Sequence, residues 1–186
     1  MGLAIANEAY ERGADVILIL GPVAGGVHCK KGIKTVNVVS ADEMAKETLK
    51  YFPRCDIAIL AAAVADYTPV KSSASKIKKQ DTDMLIRLRP TTDIAAQLGK
   101  IKRKGQFLAG FALETDNEQM NARDKLKKKN LDLIVLNSMR DEGAGFSLDT
   151  NRVMLIDKKY TFYTGIPCPP LNYPPVNALL KLRKVN

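Results

Sequence analysis

The sequence contains no tryptophan, a single histidine, three cysteines and aromatic residues at only 6%. Each shortage excludes something. Proteins that grip single-stranded nucleic acid combine basic residues with stacking aromatics, and the lysines here have no such interleaving. Nucleic acid is therefore not expected as a partner, despite a net charge of +9. Cys29, Cys55 and Cys168 form no CxxC pair and have only His28 as a nitrogen companion, short of the four ligands of a structural zinc site. The adjacent His28 and Cys29 are read as part of a surface loop rather than as a ligand pair or a nucleophile with its base. Scattered cysteines suit a reducing compartment, and a cytoplasmic protein is expected. No apolar run approaches the roughly 20 residues of a membrane helix, and the first residues lack the basic-then-apolar layout of a secretory signal. GxGxxG, GxxxxGK and HExxH are absent, so no dinucleotide fingerprint, P-loop or zincin motif stands out. Gly143-Ala144-Gly145-Phe146 is too short for a dinucleotide loop.

What is present is a regular alternation of apolar strands and amphipathic helices. At 186 residues, 46% hydrophobic and 26% charged, the chain can bury one sizeable core, and a single domain over 1–186 is expected. Residues 2–12 favour helix, with Gly13 as its stop. Strands are expected at 16–20 and 34–39, and Ser40 with Glu43 forms a capping box for a helix over 41–51. Residues 56–63 form a buried strand, and 84–89 alternate enough to form another. Thr92 is expected to cap a short helix over 93–98, and 107–112 is the next strand. Thr115 and Glu118 form a second capping box, for a helix ending near Asn130. Strands follow at 133–136 and 152–156, a loop lies at 141–146, and a proline-rich tail precedes a final helix at 176–184. Strands alternating with helices predict an α/β fold, a Rossmann-like doubly wound, mostly parallel sheet with helices on both faces. One irregularity stands out. Such a domain opens on a strand and a phosphate-binding turn, whereas this sequence opens on a helix.

The informative stretch begins where the apolar run Ile57-Ala58-Ile59-Leu60 gives way to Ala61-Ala62-Ala63-Val64-Ala65-Asp66. Small residues at the carboxyl end of a buried strand allow close approach to the backbone, and ligands of open α/β sheets sit there. Asp66 follows, facing either a ligand or metal, or merely forming a turn before Tyr67-Thr68-Pro69. Lys76, Lys78 and Lys79 come next. They suit a triphosphate or a carboxylate under activation, or simply guard a solvated edge. Lys125 and Lys129 share a helix face and could meet one anion, although cations at a helix C-terminus also favour its dipole without function. Thr92, Asp93 and Ile94 open a helix whose free N–H groups could hold phosphate or base edges. Phe111 could stack on a base or fill the core. The residues alone lead to an α/β domain with a site for an anionic ligand.

Seven pieces, in order, carry a resemblance: Gly13-Ala-Asp-Val-Ile-Leu-Ile-Leu-Gly-Pro-Val23, Ala61-Ala-Ala-Val-Ala-Asp-Tyr67, Lys76-Ile-Lys-Lys79, Thr92-Asp-Ile94, Gly110-Phe-Ala-Leu-Glu-Thr115, Lys125-Leu-Lys-Lys-Lys-Asn-Leu-Asp-Leu-Ile134 and Asn151-Arg-Val-Met-Leu-Ile156. Together the chain resembles bacterial phosphopantothenoylcysteine synthetase, the ligase half of the bifunctional coenzyme A biosynthesis flavoprotein. The resemblance implies a phosphopantothenate–cysteine ligase that uses CTP as substrate with Mg²⁺. The carboxylate of 4′-phosphopantothenate would attack the α-phosphate to give an acyl-cytidylate and pyrophosphate, and the amine of cysteine would displace CMP. By the same resemblance, Lys76 would contact the nucleotide and support ligation. Asp66 would bind nucleotide or metal, and no other metal ligand is implied. Ala62 and Ala63 would line the site, Thr92, Asp93, Ile94 and Ala95 would frame the cytosine, Phe111 would pack at the nucleotide, and Lys125 and Lys129 would meet its phosphates. It further implies a homodimer, and a flavin-dependent decarboxylase domain in the full protein, with no flavin in this chain. The family's segment ending in Ser-Ser-Gly-Lys-Met-Gly has only Met1-Gly2 as counterpart here, so the chain is expected to be truncated at its N-terminus. Thr92 stands where the family has proline, and the tail over 158–186 matches poorly. Two other readings fit the fold class: an NAD(P)-type oxidoreductase domain, against which the missing GxGxxG counts, and a nucleotide-binding domain without ligase activity, as a fragment or regulatory subunit.

Overall fold

The computed structural model describes residues 1–23, 28–73, 75–79, 81, 83–114, 116–138, 151–159 and 162–168. Helix α1 (Gly2–Glu11) opens the chain and stops at Gly13, whose φ of +85° is the left-handed conformation that glycine adopts without penalty. Strands β1 (Ile17–Leu20) and β2 (Lys34–Asn37) pair in parallel. Helix α2 (Ala41–Tyr51) follows. The Ser40 hydroxyl accepts the Glu43 N–H at 3.2 Å, and the Glu43 carboxylate reaches back to the Val39 N–H at 2.8 Å. The first half of the expected capping box is thus present, and the second is made one residue further back, to Val39 rather than to Ser40. Strand β3 (Ile57–Leu60) leads into an excursion carrying the antiparallel pair β4 (Tyr67–Pro69) and β5 (Leu88–Pro90). Then come α3 (Ile94–Ile101), β6 (Phe107–Glu114), α4 (Glu118–Lys128), β7 (Leu133–Ser138), β8 (Asn151–Asp157) and β9 (Phe162–Cys168).

The main sheet has the order β3-β6-β7-β8-β9, parallel from β3 to β7 and antiparallel from there on. Successive side chains of a strand point to opposite faces, and the core divides accordingly. Leu108, Ala112, Ile134, Leu136 and Ile156 face one cluster with Ala45 of α2, Ile94 and Leu98 of α3, and Ala122 and Leu126 of α4. Ala109, Leu133, Val135, Val153 and Leu155 face the other, with Ile5 of α1. Helices therefore cover both faces of a mostly parallel sheet.

Three expectations need correction. Asp93, not Thr92, caps α3, because its carboxylate accepts the Ala96 N–H at 3.0 Å. The strand expected at 84–89 shrinks to Leu88–Pro90, because it has only Tyr67–Pro69 to pair with and Val70 N–H to Arg87 O closes the ribbon. Asn117, at φ +46°, stands at the start of α4 without a side-chain cap bond. Thr115, expected to form a capping box with Glu118, lies outside the described residues, as do the loop at 141–146 and the final helix at 176–184. The proline-rich tail begins with a strand instead, since Pro167 in β9 pairs opposite Arg152 at the sheet's edge, where a missing N–H is tolerated.

Gly99 shows how tightly α3 and α4 meet. A Cβ on it would lie 2.0 Å from the Lys129 carbonyl oxygen, a backbone atom with nowhere to go. The Asn130 side chain donates to the Gly99 carbonyl at 2.9 Å across the same contact. Although alanine is the better helix former, Gly99→Ala should lower unfolding free energy by about 1–3 kcal/mol through overpacking. Urea denaturation measures this, and an unchanged or raised midpoint would show that the helices part freely.

Candidate functional site

The chain leaving β3 is pinned to the segment entering α3. The Thr91 hydroxyl donates to the Ala65 carbonyl at 2.6 Å, and the Thr91 N–H donates to the Asp66 carbonyl at 2.9 Å. Two stretches about 25 residues apart are thereby closed into one ledge at the carboxyl edge of the sheet. Ala62, Ala63 and Asp66 are exposed along it. The Asp66 carboxylate makes no ion pair among the described residues.

Behind the ledge stands the first turn of α3. Ile94 is buried and Ala95 packs against the same cluster, so these two can offer a ligand only their backbone N–H groups, which a helix's first turn leaves without acceptors. Thr92 is half-buried beside them. The Asp93 carboxylate is committed twice, to the Ala96 N–H and to the Lys129 ammonium at 3.0 Å. Burial pushes its pKa up, but the Ala96 N–H and Lys129 outweigh that and hold it below the ordinary carboxylate value.

Lys125, one turn before Lys129 on α4, pairs with Glu114 at the end of β6. Glu114 is largely buried and Lys125 roughly half exposed, so the ammonium is anchored on one side and open to solvent on the other. The Asn121 side-chain amide also donates to Glu114, at 3.3 Å. Phe111 lies on the α1 side of the sheet, packed against the cluster of Ile5 and Val135, the face opposite to α3 and α4. Lys76 is exposed on the excursion, as are Lys78 and Lys79, and no hydrogen bond or ion pair ties Lys76 to the other candidates among the described residues. The structure thus joins Ala65-Asp66 to Thr91 and Asp93 to Lys129 by direct contacts, and leaves Lys76 and Phe111 outside that network.

Thr91 and Glu114 escaped the sequence reading. Thr91 was hidden by its neighbours, since any of Thr91, Thr92 and Asp93 could cap a helix. Glu114 gave a signal, as a lone acid at the end of an apolar strand, but nothing in the spacing tied it to Lys125. No group of three or more acidic, histidine or cysteine side chains clusters among the described residues. A lone carboxylate such as Asp66 suits Mg²⁺ held mainly by the phosphates of a nucleotide, the usual arrangement for that ion. No helix among the described residues is long and apolar enough to cross a membrane.

An α/β fold with a polar ledge at its carboxyl edge defines a class of Rossmann-like ligand-binding domains. Within that class, residues 1–164 match the model of the DNA/pantothenate metabolism flavoprotein C-terminal domain, and the chain belongs to that family. It is 56% identical over 158 residues to a cysteine/cysteine sulfinic acid decarboxylase from an unknown prokaryotic organism, covering 85% of this chain and 44% of that protein. It is 46% identical over 159 residues to the coenzyme A biosynthesis bifunctional protein CoaBC of Bacillus subtilis strain 168, covering 85% of this chain and 38% of that protein. The fold superposes on the crystal structure of the C-terminal domain of a CoaBC protein with a TM-score of 0.74 and 32% identity, covering 97% of this chain and 78% of that one. The chain spans well under half the length of these two curated relatives.

The double role of Asp93 is testable. Its lowered pKa contributes stability that is present above the unfolded value, about 3.9, and lost as pH falls through the lower folded value. Asp93→Ala should cost about 0.5–2 kcal/mol at pH 7, as lost N-caps do. Asp93→Asn keeps the cap but not the charge. It should be less stable than the wild type at pH 7 and equal to it near pH 2, by urea titration at both pH values. A deficit that persists unchanged in acid would show that the charge contributes nothing.

Proposed function

We propose that this chain is the nucleotide-binding part of a phosphopantothenate–cysteine ligase, acting in coenzyme A biosynthesis in the cytoplasm. The observation that carries the reading is the ledge itself: an exposed Asp66 whose backbone carbonyl, like that of Ala65, is pinned by Thr91 to a helix start, with Lys125 and Lys129 tethered by Glu114 and Asp93. Membership of the family and the likeness to the CoaBC C-terminal domain support it.

The residue types suit the chemistry. A carboxylate resists attack by an amine until its oxygen becomes part of a good leaving group. With CTP, the carboxylate oxygen of 4′-phosphopantothenate would bond to the α-phosphorus while pyrophosphate leaves. The amine of cysteine would then attack the acyl carbon, releasing CMP and a proton. Such a reaction asks the protein mainly for positioning and for neutralisation of triphosphate charge. Ile94 and Ala95 would present backbone N–H groups, with Thr92 and Asp93, to the cytosine. Ala62 and Ala63 would let the nucleotide approach the backbone, with Phe111 packing at it from the α1 side. Lys125 and Lys129 would take the phosphates, and Lys76, carried in by the excursion, would supply further positive charge at the reacting phosphate. Mg²⁺ bound with the triphosphate and Asp66 would offset its remaining charge.

Calorimetry with CTP and Mg²⁺ tests the reading, with ATP and NAD as controls. CTP should bind more tightly than either, and Lys76→Ala or Lys125→Ala should weaken it about tenfold or more, the worth of one charge-assisted contact. Equal affinity for CTP and NAD, or no binding by a chain with a folded far-UV spectrum, would sink the proposal.

The excursion also supports a homodimer. Ile77, Met84, Leu85, Ile86 and Leu88 are exposed there, Leu85 at 95%, and so dense a run of exposed apolar side chains marks a contact surface. A second copy would cover it and bring the two excursions, with their lysines, together. A flavin-dependent decarboxylase domain in the full protein would be the other partner. Leu85→Lys should shift the species seen by sedimentation from dimer to monomer without unfolding it; an unchanged dimer would place the interface elsewhere.

A further inference from the structure

The excursion leaves the fold after Asp66 and returns at Thr91, and the two sides of its neck are tied there. The ladder of β4 with β5 puts Tyr67 opposite Pro90. Thr91 extends it by one further bond, from its N–H to the Asp66 carbonyl at 2.9 Å. Its hydroxyl then steps back one residue, donating to the Ala65 carbonyl at 2.6 Å, at the short end of the range for such a bond. Among the described residues, these two are the hydrogen bonds that join 61–66 to 91–95.

The segments so joined are anchored unequally. The α3 side is fixed in the core: Ile94 and Leu98 are buried, Gly99 lies against the backbone of Lys129, and Asp93 pairs with the ammonium of that residue. On the ledge side, Val64 packs into the same cluster as Ile94 and Ala95, but Ala62, Ala63, Ala65 and Asp66 are exposed. Val64 holds the middle of the ledge, and past it the backbone is held by Thr91. The hydroxyl therefore sets how far the exposed backbone of the ledge stands from the first turn of α3.

We infer that Thr91 is a positioning residue that selects the nucleobase, by holding the gap between the ledge and α3 at the width of a single-ring base. The inference rests on the nucleotide reading above, in which the walls of that gap are Ala62 and Ala63 on one side and residues 92–95 on the other. Specificity is a difference of two affinities, and a fixed wall acts on the wrong ligand more than on the right one. A pyrimidine fits between walls that stay in place. A purine, larger by a fused five-membered ring, must part them and break the bond to Ala65. Without the hydroxyl the ledge yields more readily, because its exposed alanines have little else to hold it. Pyrimidine nucleotides then lose preorganisation, while purine nucleotides escape the penalty of parting the walls. The triphosphate is common to both, so its contacts cancel from the comparison.

Thr91→Val keeps the branched shape and the N–H bond to Asp66 and removes only the hydroxyl, whereas Thr91→Ser keeps the hydroxyl. Affinities of the full chain and both variants for CTP and ATP, each with Mg²⁺, are measured by calorimetry. The preference for CTP over ATP should fall about threefold to tenfold in Thr91→Val, the worth of one neutral hydrogen bond, and return to within about twofold of wild type in Thr91→Ser. Equal weakening of both nucleotides in Thr91→Val, with the preference unchanged, would overturn the inference and leave the nucleotide reading standing. So would a Thr91→Ser chain that behaves as Thr91→Val does. A Thr91→Val chain without a folded far-UV spectrum would also overturn it, since the hydroxyl would then serve the fold rather than the gap. A wild-type chain that binds neither nucleotide, or both alike, would sink the nucleotide reading itself, and the inference with it.

Discussion

Everything in this molecule leans on the pairing of β7 with β6. Leu133, Ile134, Val135 and Leu136 are exposed by 0%, 1%, 0% and 1%, so both faces of β7 are sealed, one by Ile5 and its neighbours and the other by α3 and α4. A strand buried on both faces has no side chain to spare for chemistry. Function is pushed to the strand ends, and the two ends are treated differently. At the amino edge, Asp132 accepts the Leu108 N–H at 2.8 Å and pairs with Lys102 and Lys158 at 2.7 and 2.8 Å. Burial pushes the Asp132 carboxyl up, but the two ammonium groups and the N–H hold it below its ordinary value. Removing one member would leave a half-buried charge unmatched, so the knot specifies geometry more than it adds net stability. At the carboxyl edge, Glu114 gathers Lys125 and Asn121 at the end of β6, while Ala62, Ala63 and Asp66 stay exposed beside it.

The cations at that edge are of two kinds. Lys125 and Lys129 are already held by Glu114 and Asp93, with half or less of each side chain exposed. Held lysines lose little side-chain freedom when an anion arrives, which favours affinity, but the anion must share them with a carboxylate. Lys76, Lys78 and Lys79 are exposed on the excursion and have their freedom still to lose. The held pair suits recognition, where a fixed position discriminates. The net charge of +9 thus reflects two arrangements, which composition alone merges into one number.

Most of the architecture was legible because its signals are local. The capping box at Ser40, the glycine stop at Gly13 and the apolar runs of β3, β6 and β7 depend on neighbours a few residues away, and the structure has them. What was illegible depends on distant partners. Whether Thr91, Thr92 or Asp93 caps α3 is decided by Ala65 and Asp66, which occupy Thr91, and by Lys129, which draws on Asp93. The shortness of β5 follows from the three residues available opposite it. Phe111 could be assigned to the strand end but not to a face, since the face follows from sheet register: Ala109 and Phe111 turn toward α1 while Leu108 and Ala112 turn toward α4. That β1 and β3 each have a partner along only one edge among the described residues was not visible from the sequence.

Those edges bear on the site as well as on the sheet. The β1–β2 pair is attached to the rest of the core through α1 and α2, without sheet hydrogen bonds to β3. Gly2 at the tip of α1 stands beside Ala61, where a Cβ added to it would lie 3.5 Å from that of Ala61, and Ile5 packs in the cluster that also takes Phe111. The Thr91 bonds and the Asp93–Lys129 pair, by contrast, are anchored on α3 and α4. The ledge is thus bordered by apolar packing toward α1 and by polar bonds toward α3 and α4.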